Sequence, residues 1–139
     1  MAARRIAPFQ VVGTDGRNVL QFGPRYARLA YDDTTVISLF HRTTGGEVSV
    51  LLERYHFADF ARWLAVGERI WHYEGLTREG RFTRTEDGGM EVKIRWHSAS
   101  GTSRSVILTP EAVAALREWV ADKDTNGWEG WKSGRTEAR

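Results

Sequence analysis

From Met90 to His97, apolar and polar side chains alternate, with Val92, Ile94 and Trp96 on one side and Lys93, Arg95 and His97 on the other. A strand points successive side chains to opposite faces, so this run predicts a half-buried strand with a basic outer side. The same alternation marks Ile70 to Tyr73, Gly80 to Thr85 and Arg104 to Leu108. After Thr109-Pro110-Glu111 the period changes: Val113, Leu116 and Val120 recur at the spacing of one helical face. Four strands and then a helix are predicted for the second half of the chain.

The first half follows the same order. Phe9 to Val12 reads as a strand before the turn Gly13-Thr14-Asp15-Gly16, and Asn18 to Phe22 as another, closed by Gly23-Pro24. Arg25 to Tyr31 alternates, and Asp32-Asp33-Thr34 turns the chain into Val36 to Arg42. Thr43-Thr44-Gly45-Gly46 forms a hairpin into Val48 to Leu52, and Phe57, Phe60 and Leu64 mark a helix ended by Gly67. Residues 25 to 64 superpose without a gap on residues 81 to 120, 56 positions later. Between 36–64 and 92–120, 8 of 29 residues are identical: Val36, His41, Gly45, Ser49, Val50, Leu52, Ala58 and Trp63 with their partners. Unrelated segments would share roughly two, so the chain is one unit used twice.

These patterns predict an α+β protein of two tandem β-β-β-β-α repeats packed as an intramolecular pseudo-dimer. Residues 1–139 form a single domain, with repeat one at about 14–69, repeat two at about 70–126 and a polar, Gly-rich, mobile tail at 127–139. Each repeat alone is too small to bury a stable core, so the two are expected to share one. In the ungapped superposition Ile37 and Leu39 take the places of Lys93 and Arg95. The outer side of that first-half strand is therefore expected to be apolar and to meet the other half, a second copy or another protein.

Composition narrows the chemistry. No apolar run is long enough to span a bilayer and no secretory signal follows Met1, so a cytoplasmic protein that does not enter membranes is expected. The absence of cysteine removes disulfides, thiolate catalysis and cysteine-bound zinc. The net charge of +2 is small, and positions 14–69 carry 7 basic and 7 acidic residues. A surface for anions must therefore come from arrangement. No cofactor is expected: Gly45-Gly46 and Gly88-Gly89 sit between strands, not at a strand-to-helix phosphate loop. His41 and His97 occupy matching places but have no partner at ligand spacing, His56 and His72 are isolated, and no nucleophile constellation is recognisable. An enzyme is not expected. Trp63 and Trp119 read as helix packing, whereas Trp128 and Trp131 could fold back or anchor a partner.

Several short motifs resemble those of a known family. Arg81-Phe82 and Arg25-Tyr26 open a second strand with an Arg-aromatic pair. Lys93-Ile94 ends a third, and Ala115-Leu116-Arg117-Glu118-Trp119-Val120 and Phe60-Ala61-Arg62-Trp63-Leu64 lie in the helices. This order resembles the PUR repeats of purine-rich element binding proteins, and Leu108-Thr109-Pro110-Glu111 is similar to the helix start of the related whirly and positive-cofactor-four families. The resemblance covers residues 14 to about 123. It departs from the PUR pattern at Gly88-Gly89-Met90-Glu91, where that family has a basic third-strand motif.

The resemblance implies a PUR/whirly-like pseudo-dimer that binds single-stranded DNA or RNA on its sheets. Single strands bind where bases stack on aromatic rings and phosphates meet cations. The candidate residues are Arg25, Tyr26, Arg28, Arg42, Arg78, Arg81, Phe82, Arg84, Lys93, Arg95 and Arg104. Phe82 with Arg84, and Tyr26 with Arg28, would share a face of the second strand. The near-neutral halves also suit another class, a protein-interaction or assembly module that uses the Ile37/Leu39 strand or the Trp128/Trp131 tail to form a homodimer or hold a partner.

Overall fold

Among the described residues each alternating run becomes a strand whose apolar side is covered, and the two runs of helical period become helices. The computed structural model describes residues 8–23, 34–75, 77–97 and 103–124. The elements are β1 (Phe9–Val12), β2 (Asn18–Phe22), β3 (Thr34–His41), β4 (Gly45–Glu53) and α1 (Arg54–Val66), followed by β5 (Ile70–Glu74), β6 (Arg78–Arg84), β7 (Met90–Trp96), β8 (Ser103–Leu108) and α2 (Pro110–Asp122). Two antiparallel four-stranded sheets result, ordered β1-β2-β3-β4 and β5-β6-β7-β8. The protein is thus a duplicated β-β-β-β-α unit. The strand expected at Arg25 to Tyr31 and the tail with Trp128 and Trp131 lie outside the described residues.

Local signals account for the boundaries. The Thr109 hydroxyl accepts the Ala112 N–H at 3.1 Å and Pro110 follows at the first helical position, so α2 starts where its first donor is satisfied. Gly67 ends α1, its N–H donating to Trp63 O at 2.7 Å. Gly45 and Gly46 have φ of 78° and 63°, the left-handed conformation that a tight hairpin between β3 and β4 demands.

The two sheets and both helices enclose one aromatic core. Phe22 of β2 and Phe82 of β6 lie 6.3 Å apart, centroid to centroid, and Phe60 of α1 touches both, at 5.7 and 4.8 Å. Each helix lends its tryptophan to the other unit's sheet. Trp63 of α1 meets Phe82 edge-on at 6.4 Å, and Trp119 of α2 meets Phe22 edge-on at 5.8 Å. Trp71 of β5 donates to Asp59 of α1 at 3.0 Å. Away from the helices the sheets touch directly, Gly80 of β6 lying against Val50 of β4.

The duplication is real, but its counting slips along the chain. Phe22 stands opposite Ile37 as Phe82 stands opposite Val92, so Gln21-Phe22, not Arg25-Tyr26, is the counterpart of Arg81-Phe82. Downstream the constant separation holds, with Val50 matching Val106 and Phe60 matching Leu116 in buried positions. Upstream β1, which precedes position 14, is the edge strand of the first unit.

The slip corrects the reading of β3. Ile37 takes the place of Val92, so Ile37 and Leu39 face the core, each 0 % exposed, and neither can form a contact for a second copy or a partner. The change of counting coincides with an irregularity between Leu39 and His41, where pairing with β4 shifts register. A one-residue slip moves every side chain of a strand to the other face.

Phe82 is 0 % exposed and meets Phe22, Phe60, Trp63 and Trp71. Truncating such a ring leaves a cavity, so Phe82→Ala should destabilise the protein by about 3–5 kcal/mol. Urea unfolding followed by tryptophan fluorescence checks this.

Just after α2, Lys123 is fully buried with Nζ 5.8 Å from the Phe57 ring centroid. Burial, with repulsion from Arg54 second, draws its pKa from 10.5 down to about 8. The unfolded chain holds that proton more tightly, so this group makes stability rise with pH between about 8 and 10.5. The stability of wild type relative to Lys123→Met should climb across that window and be flat below it, as measured by denaturant unfolding at a series of pH values.

Candidate functional site

The alternation of β5 to β8 sends one set of side chains to the core and the other to an open outer face. In β7 the inward set is Met90, Val92 and Ile94, all 0 % exposed, and the outward set is Glu91, Lys93 and Arg95, all exposed. Strand register then decides which outward groups meet. Arg81 of β6 lies directly opposite Lys93 on one side and His72 of β5 on the other, while Glu79 lies opposite Arg95 and Glu74. Ser103 and Ser105 of β8 stand opposite Arg95 and Lys93. Glu79, Arg81, Lys93 and Arg95 line an open depression of ≈ 210 Å³.

The charges on this face are partly matched. Arg95 Nε forms an ion pair with Glu79 Oε1, and His72 Nε2 lies 2.8 Å from Glu79 Oε2. These hydrogen bonds, His72 first and Arg95 second, hold the Glu79 carboxyl below its usual range, so it is ionised at neutral pH. Among the described residues neither Arg81 nor Lys93 meets a carboxylate. Two like charges directly opposite on exposed strands repel, an arrangement that folding alone does not favour.

The other predicted cations are engaged in the structure. Arg84 turns inward over the end of α1, donating to Trp63 O at 2.6 Å and to Leu64 O and Glu68 O at 3.1 Å, with its guanidinium 4.6 Å from the Trp63 ring centroid. The carbonyls at a helix C-terminus attract cations in this way. Arg78 stacks on Trp96 at 4.0 Å and donates to Ser49 O at 3.2 Å across the two sheets. Arg104 donates to Gly46 O and, at 3.3 Å, to Asn18 Oδ1. A Cβ on Gly46 would lie 2.3 Å from Arg104 Nη2, so the guanidinium occupies space that glycine leaves free. Arg42 is exposed in the hairpin after β3 and donates to Gly16 O at 3.1 Å.

The structure therefore brings together Arg81, Lys93 and Arg95. It separates Arg78, Arg84 and Arg104, which hold the units and the helix end in place, from that group. The expectation that Phe82 offers a ring to a base is corrected: the ring is enclosed by Phe60, Trp63 and Trp71, because Phe82 is on the inward side of β6. Arg25, Tyr26 and Arg28 lie outside the described residues. No Phe, Tyr or Trp stands among the described outward residues of β5 to β8. This face can engage an anion through one exposed ammonium and two guanidinium forks, the latter suited to paired hydrogen bonds with phosphate oxygens.

His41 has a local role: its Nδ1 lies within 3.3 Å of the Thr43 and Thr44 N–H groups and shapes the hairpin. His72 is the residue that linear spacing does not reveal. It meets Glu79 only through the pairing of β5 with β6, although the outward alternation of His72 and Glu74 signals their shared side.

The chain resembles several solved structures at low identity, over most of its length. The MRP1/MRP2 structure from Trypanosoma brucei is 15% identical with a TM-score of 0.64, over 95% of this chain and 88% of that one. A guide-RNA-binding protein complex bound to a guide RNA is 17% identical with a TM-score of 0.63, over 84% and 88%. WHY1 from Arabidopsis thaliana is 13% identical with a TM-score of 0.64, over 99% and 95%. The class defined by this architecture is the whirly-like fold. No protein-family model and no curated protein sequence matches the chain.

Arg84 and Arg81 separate a structural from a surface role. Arg84→Ala should cost about 1–3 kcal/mol, the range for removing charge-assisted hydrogen bonds to helix carbonyls. Arg81→Ala should stay within about 0.5 kcal/mol of wild type. Paired urea-unfolding curves test the contrast.

Proposed function

We propose that this protein binds single-stranded nucleic acid through the outer face of its second sheet, with Arg81, Lys93 and Arg95 as the phosphate-contacting residues, and that it carries out no catalysis. The observation that carries this reading is the Arg81–Lys93 pair: like charges directly opposite each other on exposed strands, without a carboxylate among the described residues. An anionic chain relieves that repulsion. The fold supports the reading, since it is shared with a protein complex described as bound to a guide RNA.

The described outward residues of β5 to β8 lack Phe, Tyr and Trp, so binding here rests on charge and hydrogen bonding to the backbone, with little discrimination between bases. Arg25, Tyr26, Arg28 and Arg42 are proposed as further contacts contributed by the first unit. Kinship with the PUR branch rests on the sequence motifs Arg81-Phe82 and the helix segments, while the architecture supports the wider whirly-like group.

Fluorescence polarisation with labelled oligo-dT, oligo-rU, a purine-rich single strand and a duplex tests the proposal. Single strands should bind at low salt, the two homopolymers alike, with affinity falling steeply as salt rises. Arg81→Ala with Lys93→Ala should weaken binding at least about tenfold and flatten the log–log salt dependence by roughly 0.7 for each phosphate that the variant no longer neutralises. No binding of any single strand at low salt would refute the reading and favour the protein-interaction alternative. Normal binding by the double variant would refute this choice of surface.

A further inference from the structure

The β5 border of the basic face carries a cluster for which phosphate contact has no use. His72 and Glu74 are alternate residues of the edge strand β5 and project outward together, and Glu79 of β6 is the direct cross-strand partner of Glu74. One imidazole nitrogen and one oxygen from each carboxylate all lie within 4.8 Å of one another. The His72 side chain is 38% exposed, so water can complete a coordination shell from the open side. Two hard oxygen donors and one imidazole form a donor set that zinc-class ions accept.

Glu79 links this cluster to the phosphate-contacting residues. Its two oxygens are divided between His72 Nε2 and Arg95 Nε. An ion held by His72, Glu74 and Glu79 would compete with Arg95 for the same carboxylate charge. It would also place two positive charges beside Arg81, Lys93 and Arg95, where Glu79 and Glu74 now offset them.

We infer that His72, Glu74 and Glu79 form a binding site for a divalent transition-metal ion of the zinc class, whose occupancy releases Arg95 from Glu79 to contact phosphate. The second half of this inference rests on the proposed nucleic-acid function; the ion site itself does not.

Isothermal titration of zinc chloride into the full chain at neutral pH tests the site directly, without nucleic acid. Zinc should bind with one-to-one stoichiometry, and His72→Ala and Glu79→Gln should each weaken it at least about tenfold, the scale on which metal sites respond to removal of a well-placed group. Glu91→Gln, on the same face but outside the cluster, should leave it unchanged. If either cluster variant fails to fold, as judged by circular dichroism, the exposed Glu74→Gln carries the comparison. No heat of binding up to millimolar zinc, or equal affinity in the folded cluster variants, overturns the site.

Polarisation titrations of labelled oligo-dT with and without zinc test the link. Wild type should bind several-fold more tightly with zinc, and His72→Ala should not respond. Zinc binding by calorimetry without any change in oligonucleotide affinity overturns the release of Arg95 while the ion site stands. Failure of every single strand to bind, with or without zinc, overturns the proposed function and leaves the calorimetry to judge the site.

Discussion

The contact of Phe22 with Phe82, closed over by Phe60, is the constraint on which the rest of the molecule depends. These rings come from both sheets and from α1, so neither unit can complete its core alone. The crossed placement of Trp63 and Trp119 extends the same logic, because each helix covers aromatic surface that belongs to the other unit. A four-stranded sheet with one short helix exposes too much apolar area to be stable in isolation. Once the two are clasped, the direction of every strand face is fixed, including the one that is left outward.

That fixation sorts the cations. An arginine on an inward-facing position near a sheet end has a long apolar stem to bury and a fork that can reach backbone carbonyls, and Arg78, Arg84 and Arg104 all do this. They join β6 to β4, β6 to α1, and β8 to the β3–β4 hairpin. Arg81, Lys93 and Arg95 are one position out of phase with such sites, and their head groups stay in water. The near-zero charge of the chain therefore conceals two populations of basic residues, one used for assembly and one left on the surface.

Much of this is legible in the sequence, and the failures share a cause. The period of two gives the outward placement of Lys93 and Arg95, and the helical faces of Phe57, Phe60 and Leu64 and of Val113, Leu116 and Val120 all point inward. What a fixed separation between repeats does not show is that the units differ in spacing upstream of β4. A constant offset makes Ile37 the counterpart of Lys93 when it is that of Val92, and pairs Phe82 with Tyr26 when its counterpart is Phe22. Phe82 and Arg84 do share a face of β6, as the period of two requires, but it is the inward one, so the ring joins the core and the guanidinium reaches the carbonyls of α1. The meeting of His72 with Glu79 depends on strand pairing across a turn and leaves no mark in linear spacing.

The covalent tie between the units has a consequence for divergence. Two identical subunits must carry the same residue on both equivalent surfaces, so a change that helps one is imposed on the other. A tandem chain is exempt from that rule. Here the outward positions of β7 hold the exposed Lys93 and Arg95, whereas the corresponding places of β3 hold Ser38, which is 0 % exposed and donates to Glu47, and the half-buried Phe40, and the described strands of the first sheet carry no lysine or arginine. The clasped core demands that both copies keep their shape, while each exterior is free to specialise.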